Sequence, residues 1–544
     1  MPLDVDGSVL ILDEATVAGA GPSHTMTGGG IATFEAYGTT SEGRGSAIIQ
    51  IQVSNDGSTW QTAGTINLDL ETNRTSDRFT MDSAWSRWTY IRSNLKSISG
   101  TGASVSVYKN NVISKGLAAE LAAIGVYSAP TAAPMGAQGA GMGVCNPAYV
   151  PAGLVGLYGY NDRSSPNFGN YIHPASGSIM CFIPLKWTKW GAGIGVNGLA
   201  INQCSIVDDT PSMRALLSAD GYAVHRAFWD GGAIKSGVFV DKYLCSNNGG
   251  IAASIKNGNP LSSDSTHNQF AGLAGTPANA YYGAVDAARL RGSGFFCNSR
   301  FIHTLLAQMS YAHAQASTSS VFCAWYDGTG VSNFQKGCNN NALRDSQDAS
   351  ILYTSDGYST CGQTGSAVPF EKTTHNGQAC GIADLNGLMW EINLGLTSDG
   401  SSYFAVKSSV AMSGLTSGNS GATDAWGAAG RAANYDNLGA TYGAATASST
   451  TKTYGNAAQV FSEQTSGISW AATCLGIPLA GGVGGANTFG NDGFYDYRLN
   501  DMCAVSGGSW TTGSNAGVWA LYLGYARSNS SVNVGFRAAI YPTA

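Results

Sequence analysis

The side chains in this sequence that could do covalent or metal chemistry are scattered rather than clustered. Eleven cysteines, at 145, 181, 204, 245, 297, 323, 338, 361, 380, 474 and 503, make an odd set without one C-x-x-C pair. That spacing argues against a zinc ribbon or a complete disulfide framework, and the expectation is reduced thiols packed as small apolar groups. The seven histidines show no metal-ligand spacing, and neither H-E-x-x-H nor G-x-S-x-G occurs. His303 and His313 share a helical pattern, about 80° apart around its axis with no carboxylate beside them, so packing or solvation is their expected role. Asp208, Asp209 and Asp496 read as loop or capping residues. A glycosidase needs two carboxylates that can be distant in the chain, so a glycan-degrading enzyme stays an alternative.

The chain that must position these groups has 544 residues, with 28 Lys plus Arg against 34 Asp plus Glu, a formal charge of −6. This balance excludes a basic nucleic-acid binder. At about 150 residues per domain the length implies several domains, or fewer large β-rich ones. Glycine is abundant, at 73 residues in a chain that is 43% hydrophobic and 10% aromatic, which points to a turn-rich β architecture and away from disorder. The amino terminus, MPLDVDG, is acidic with no apolar stretch, so no secretory signal is expected. No apolar run of about 18 residues occurs either, so no membrane insertion is expected.

Residues 1–111 alternate. Ile49, Ile51 and Val53 face one way and Gln50, Gln52 and Ser54 the other, before the turn Asn55-Asp56-Gly57. Similar stretches follow at 60–70, 87–92 and 103–108, and an antiparallel β-sandwich accounts for them. The run IQVSNDGSTWQTAG is similar to a sandwich type common in phage structural proteins and carbohydrate-binding modules. Residues 112–150 shift to Ala, Gly, Pro and Met, with one short helical pattern at 117–124, and read as a linker. Residues 151–544 mix short strands with two helices. One follows Thr210 as N-cap, with Pro211 first and Met213, Leu216 and Leu217 apolar. The other follows Asn298 or Ser299 and carries Ile302, Leu305, Leu306, Met309 and Ala312 as a stripe that must pack on a sheet. Beyond Ala316 helical pattern nearly disappears.

Four segments in order then carry a resemblance: SGVFVDKYLCS (236–246), the helix after Ser299, GIADLNGLMWEI (381–392), and GGSW (507–510) with ARS (526–528) and VGFRAA (534–539). They resemble the formylglycine-generating-enzyme-like domain, whose motif Gly-x-x-Asp-x-x-Gly-Asn-x-Trp-Glu-Trp is met with Leu388 for Asn and Ile392 for the last Trp. The resemblance implies a variant of the C-type lectin fold. The expected fold class is therefore mainly β with some α: an N-terminal β-sandwich, a linker, then a large C-type-lectin-like α+β domain. Enzymes of this family use two cysteines whose positions fall here at Trp519 and Gly524, so their thiol chemistry, and a catalytic role, are not expected. No cofactor is expected, although the family often holds structural calcium and Asp384, Asn386 and Glu391 could supply oxygen ligands. In their own right Trp390, Glu391, Phe536 and Arg537 read as fold-holding residues, with Asp384 or Glu391 as the buried partner that Arg537 needs.

The stretch 507–539 resembles the variable region of retroelement-diversified proteins, among them phage tropism determinants. The resemblance places the ligand surface at Thr511, Thr512, Ser514, Asn515, Trp519, Tyr522, Gly524, Tyr525, Asn529, Ser531 and Val532, backed by Val518, Ala520, Leu521 and Leu523. Strand alternation offers a competing reading, in which Tyr525 shares the face of Leu521 and is core. On this resemblance the expectation is a virion-borne fibre or spike protein, exposed on the head or tail and attached through its sandwich to other virion structural proteins. It would be a homotrimer that binds a bacterial surface glycan or protein receptor. A decoration protein that binds only other virion subunits is the structural alternative.

Overall fold

Alternation in the first hundred residues becomes a two-sided core. Ile49, Ile51 and Val53 are wholly buried. They meet Phe34, Val105 and Val107 of a facing sheet in one cluster. In this computed structural model, residues 8–25, 32–71, 75–80, 89–111, 143–147, 149–273, 280–317, 323–325, 334–415, 428–439, 452–456, 458–485 and 489–542 are described. They fall in two compact units, Met1–Ala123 and Ile124–Ala544.

The first unit is a β-sandwich. One sheet orders Ser8–Ala15, Ser104–Asn111, Ala32–Thr39 and Thr75–Thr80, and the other orders Gly19–Ala20, Tyr90–Thr101, Glu42–Ser54 and Gln61–Leu70. At the expected turn, Asp56 accepts the N–H groups of Ser58 and Thr59, each at 2.7 Å, and Gly57 takes φ +72°. The expected helical stretch at 117–124 and most of the expected linker lie outside the described residues. Its last residues do not behave as a linker: Val144 is buried, and the Cys145 N–H donates to the Phe182 carbonyl at 3.2 Å, so this stretch belongs to the second unit.

The second unit carries two six-stranded sheets. In the first, Ser178–Pro184 and Gly237–Asp241 are central strands, and the C-terminal strand Ala538–Ile540 enters between Gly237–Asp241 and Phe295–Cys297. Gly237–Asp241 is buried at every residue: Val238, Phe239 and Val240 form the apolar run of a sheet covered on both faces, and Asp241 at its end accepts from Arg291 at 2.6 and 2.8 Å. The second sheet orders Lys452–Thr453, Gly493–Tyr495, Leu521–Tyr522, Ala504–Ser506, Trp390–Asn393 and Val534–Gly535.

The helix expected after Ser299 spans Arg300–Ala316, with the Ser299 hydroxyl accepting the Ile302 N–H at 3.2 Å. Burial is wider than the apolar stripe foretold, because His303, Thr304, Gln308, Ser310 and His313 are buried as well as Leu305 and Leu306. The segment after Thr210 is a 3-10 turn, Pro211–Met213, running into a short helix, Arg214–Ala219, and the Thr210 side chain does not cap it. Of the helices not expected, Ala428–Asn434 and Gly467–Cys474 are too short for a stripe to read, whereas Ala280–Arg289 carries one at Tyr281, Ala284, Val285 and Ala288, all buried. The chain is mainly β with some α.

Candidate functional site

The residues singled out near the C-terminus are spread along loops flanking one short strand. Leu521–Tyr522 pairs in parallel with Gly493–Tyr495 and antiparallel with Ala504–Ser506. Leu521 and Leu523 are buried, and Tyr522 between them is half-buried. Its ring stacks on Tyr495 at 4.4 Å and 20°, and lies 5.9 Å from the half-buried Trp390. Gly524 forms the floor of this stack: a Cβ there would sit 2.8 Å from Tyr495 Cε1 and 3.0 Å from the Tyr522 hydroxyl. Tyr525 is half-buried, and its hydroxyl donates to the carbonyl of exposed Asn529 at 3.4 Å. Burial raises the pKa of both Tyr522 and Tyr525, so both hydroxyls stay neutral at physiological pH.

Polar residues form the other part of the surface. Asn533 Nδ2 donates to Ser509 Oγ and Thr511 Oγ1, both at 3.1 Å, and Ser509 Oγ lies 3.1 Å from Thr512 Oγ1. Ser531 Oγ donates to Asn533 Oδ1 at 2.6 Å, and the Ser531 N–H donates to Ser263 Oγ at 2.8 Å. Thr511, Thr512, Ser531 and Val532 therefore share one neighbourhood. The Trp390 N–H donates to the Asn533 carbonyl at 2.9 Å, which joins this neighbourhood to the tyrosine stack. Ser514 is exposed, and Asn515 accepts the Gly493 N–H on its carbonyl at 2.8 Å.

Trp519 is a correction. It has no exposed surface and sits among Trp190, Tyr311, Tyr454, Phe461 and Phe489, with ring centroids 5.3–6.2 Å away. It cannot touch a receptor. Its backbone is fixed as firmly as its ring: the Trp519 N–H donates to Asp492 Oδ2 at 2.8 Å, and Asp492 Oδ1 takes Lys336 Nζ at 2.6 Å. Gly517 makes room for that carboxylate, since a Cβ there would lie 1.9 Å from Asp492 Oδ1.

The fold-holding residues do pair. Arg537 Nε and Nη2 donate to the two oxygens of Glu391 at 2.6 and 2.7 Å, all fully buried. Each Glu391 oxygen thus accepts one hydrogen bond from Arg537. Trp390 is only half-buried, with its ring 5.9 Å from that of Tyr522. Tyr495 was missed, although GFYDY signals it: Phe494 and Asp496 are buried, and Tyr495 and Tyr497 alternate outward.

All eleven cysteines are free thiols, ten of them buried. Burial pushes Cys503, the one nearest the closing motif, up to about 12. A thiol so held is a poor nucleophile. The ten expected positions other than Trp519 carry no charged side chain, so the arrangement suits stacking and neutral hydrogen bonding.

No protein-family model matches the chain, and no curated protein does. Among solved structures, it is similar to the SPBc2 prophage-derived protein YomS, with 16% identity over 19% of this chain and 88% of that one, at a TM-score of 0.15. It is similar to the Major Tropism Determinant U1 variant, with 12% identity over 67% of this chain and 63% of that one, at a TM-score of 0.25. It is also similar to the PBSX exported protein XepA, with 14% identity over 20% of this chain and 37% of that one, at a TM-score of 0.15. All three likenesses are partial and distant.

Proposed function

We propose that this chain is a bacteriophage virion protein of the fibre or spike kind that binds a bacterial surface receptor through its C-terminal unit. The observation that carries the reading is the half-exposed stack of Tyr522 on Tyr495 beside Trp390, continuous with the uncharged Thr511, Thr512 and Ser531 patch. Rings held by stacking present flat apolar faces at little conformational cost, and hydroxyls around them supply direction, as a glycan or a peptide loop requires. The sequence resemblance to retroelement-diversified variable regions, carried on a C-type-lectin-like scaffold, supports the same placement. Weak single sites become effective when many copies on one particle engage together.

The test uses the full chain and isolated envelope of the host bacterium. Tyr522→Ala and Tyr525→Ala are each expected to weaken binding by about thirtyfold, the size of a hot-spot loss of about 2 kcal/mol. Undiminished binding by the double variant would overturn the reading. Release of sugar or peptide from the envelope would place the chain among enzymes instead.

A further inference from the structure

Beneath the polar part of that surface three side chains converge. His267 Nε2 lies 2.7 Å from Asp356 Oδ2, and the ligating atoms of His267, Asp356 and Cys361 all fall within 4.8 Å of one another. The side chains of His267 and Asp356 are 1% and 0% exposed, and Cys361 is wholly buried. On its other side, His267 Nδ1 lies 2.6 Å from the Val532 carbonyl oxygen.

A carbonyl oxygen only accepts, so Nδ1 carries a hydrogen. A neutral imidazole has a single N–H, which leaves the Nε2 lone pair facing a carboxylate oxygen, and that approach needs a cation between the two. A proton would serve, and so would a metal ion. Two features favour the metal. The first is the third donor: a sulfur beside an imidazole nitrogen and a carboxylate oxygen is a zinc-type set, which would surround one ion once Nε2 and Oδ2 move apart and Sγ closes in. The second is the support around the set. A ligating histidine is normally oriented by a carbonyl or carboxylate on its far nitrogen, the part Val532 plays here. Asp356 and Cys361 come from one closed loop, in which the Asp356 N–H donates to the Cys361 carbonyl and the Cys361 N–H to the Tyr358 carbonyl, both at 3.0 Å. Tyr358 stacks on the His267 ring at 4.1 Å, shielding the cluster.

We propose that His267 Nε2, Asp356 Oδ2 and Cys361 Sγ bind a zinc-class divalent cation, with a water as fourth ligand. Binding displaces two protons to solvent, the Cys361 thiol proton and the one shared between Nε2 and Oδ2, and forms one metal bond to each of the three atoms. The ion would tie the loops at 264–268 and 355–362 to the Val532 carbonyl, and so brace the polar part of the candidate surface.

The full-length protein, stripped of metal and shown to be folded by circular dichroism, is titrated with Co²⁺ as a spectroscopic stand-in and separately with Zn²⁺. About one equivalent should bind, with a sulfur-to-cobalt charge-transfer band in the near ultraviolet. Cys361→Ser should lose that band, and His267→Gln should weaken Zn²⁺ binding by at least about tenfold. Cys503→Ser, which removes a buried thiol elsewhere, should keep both. Folded wild-type protein without the band at excess Co²⁺ would overturn the proposal and leave a proton-bridged pair. So would a band that survives Cys361→Ser, which would place the metal at another thiol. If Cys361→Ser fails to fold, His267→Gln decides: unchanged Zn²⁺ affinity in that variant also overturns it.

Discussion

Arg537 shows how much one buried charge constrains its surroundings. Its guanidinium is fully enclosed, holds Glu391 through two parallel contacts, and donates through Nη1 to the carbonyl of Asp241 at 3.0 Å and through Nη2 to those of Ala383 and Asp384 at 3.0 and 3.3 Å. Of the two carboxylates the sequence offered as partners, Glu391 takes the charge, and Asp384 contributes its backbone. Asp384 Oδ2 instead accepts the Gly365 N–H at 2.6 Å. Glu391→Gln should leave an uncompensated buried cation and cost about 3–5 kcal/mol in urea unfolding. Replacing both partners together, with Arg537→Met and Glu391→Leu, should cost much less, because no charge is then stranded. A loss below about 0.5 kcal/mol for Glu391→Gln would mean that the pair is wetter than its burial indicates.

At the scale of elements, the loop 517–519 and the strand Leu521–Tyr522 divide one local run between core and surface. Trp519→Ala removes the centre of an aromatic cluster, and a loss of about 3–5 kcal/mol is expected with the Tyr522 surface still in place. Intact stability with abolished receptor binding would instead mean that Trp519 faces outward. The sequence could not separate these outcomes. Every residue of Val518–Leu521 is buried, so no polar-apolar alternation marks which ring turns out. Rings distant in the chain, those of Trp190, Tyr311, Tyr454, Phe461 and Phe489, reveal where Trp519 points. Period-2 signals were legible where one sheet face meets water, as at Ile49, Ile51 and Val53, because alternation and burial coincide there. The helix Arg300–Ala316 was legible in position but not in surroundings: a stripe shows which face is apolar, not that His303 and Gln308 are also enclosed. Asn533 and Ser263 were missed because their importance lies in hydrogen bonds spanning 22 to 268 residues of chain.

The interior of the second unit also sets how the whole molecule answers to acid. Burial holds His225 and His313 down to about 3 and drives His303 and His375 well below the ordinary imidazole value. Geometry agrees for His225, whose Nδ1 accepts the Ala227 N–H at 3.1 Å and so carries no proton. Because these folded values lie below the unfolded one of about 6.5, the unfolded chain binds more protons in acid. The stability these groups confer is whole above that value and is lost as pH falls below it. Asp384 acts the other way. Burial raises it to about 6 from 3.8, so its ionisation weakens the fold as pH rises through 6, and protonation returns that stability on the way down. Between pH 6.5 and 5.5 each of these four imidazoles costs on the order of 1 kcal/mol and Asp384 returns part of it, so a net loss of stability from these five groups is expected. Urea unfolding at constant ionic strength measures it. The loss should deepen slightly in Asp384→Asn, which has no proton to regain. A stability that stays level or climbs over that interval would show that the imidazoles are hydrated, and would contradict the dry packing around the long helix that orders the second unit.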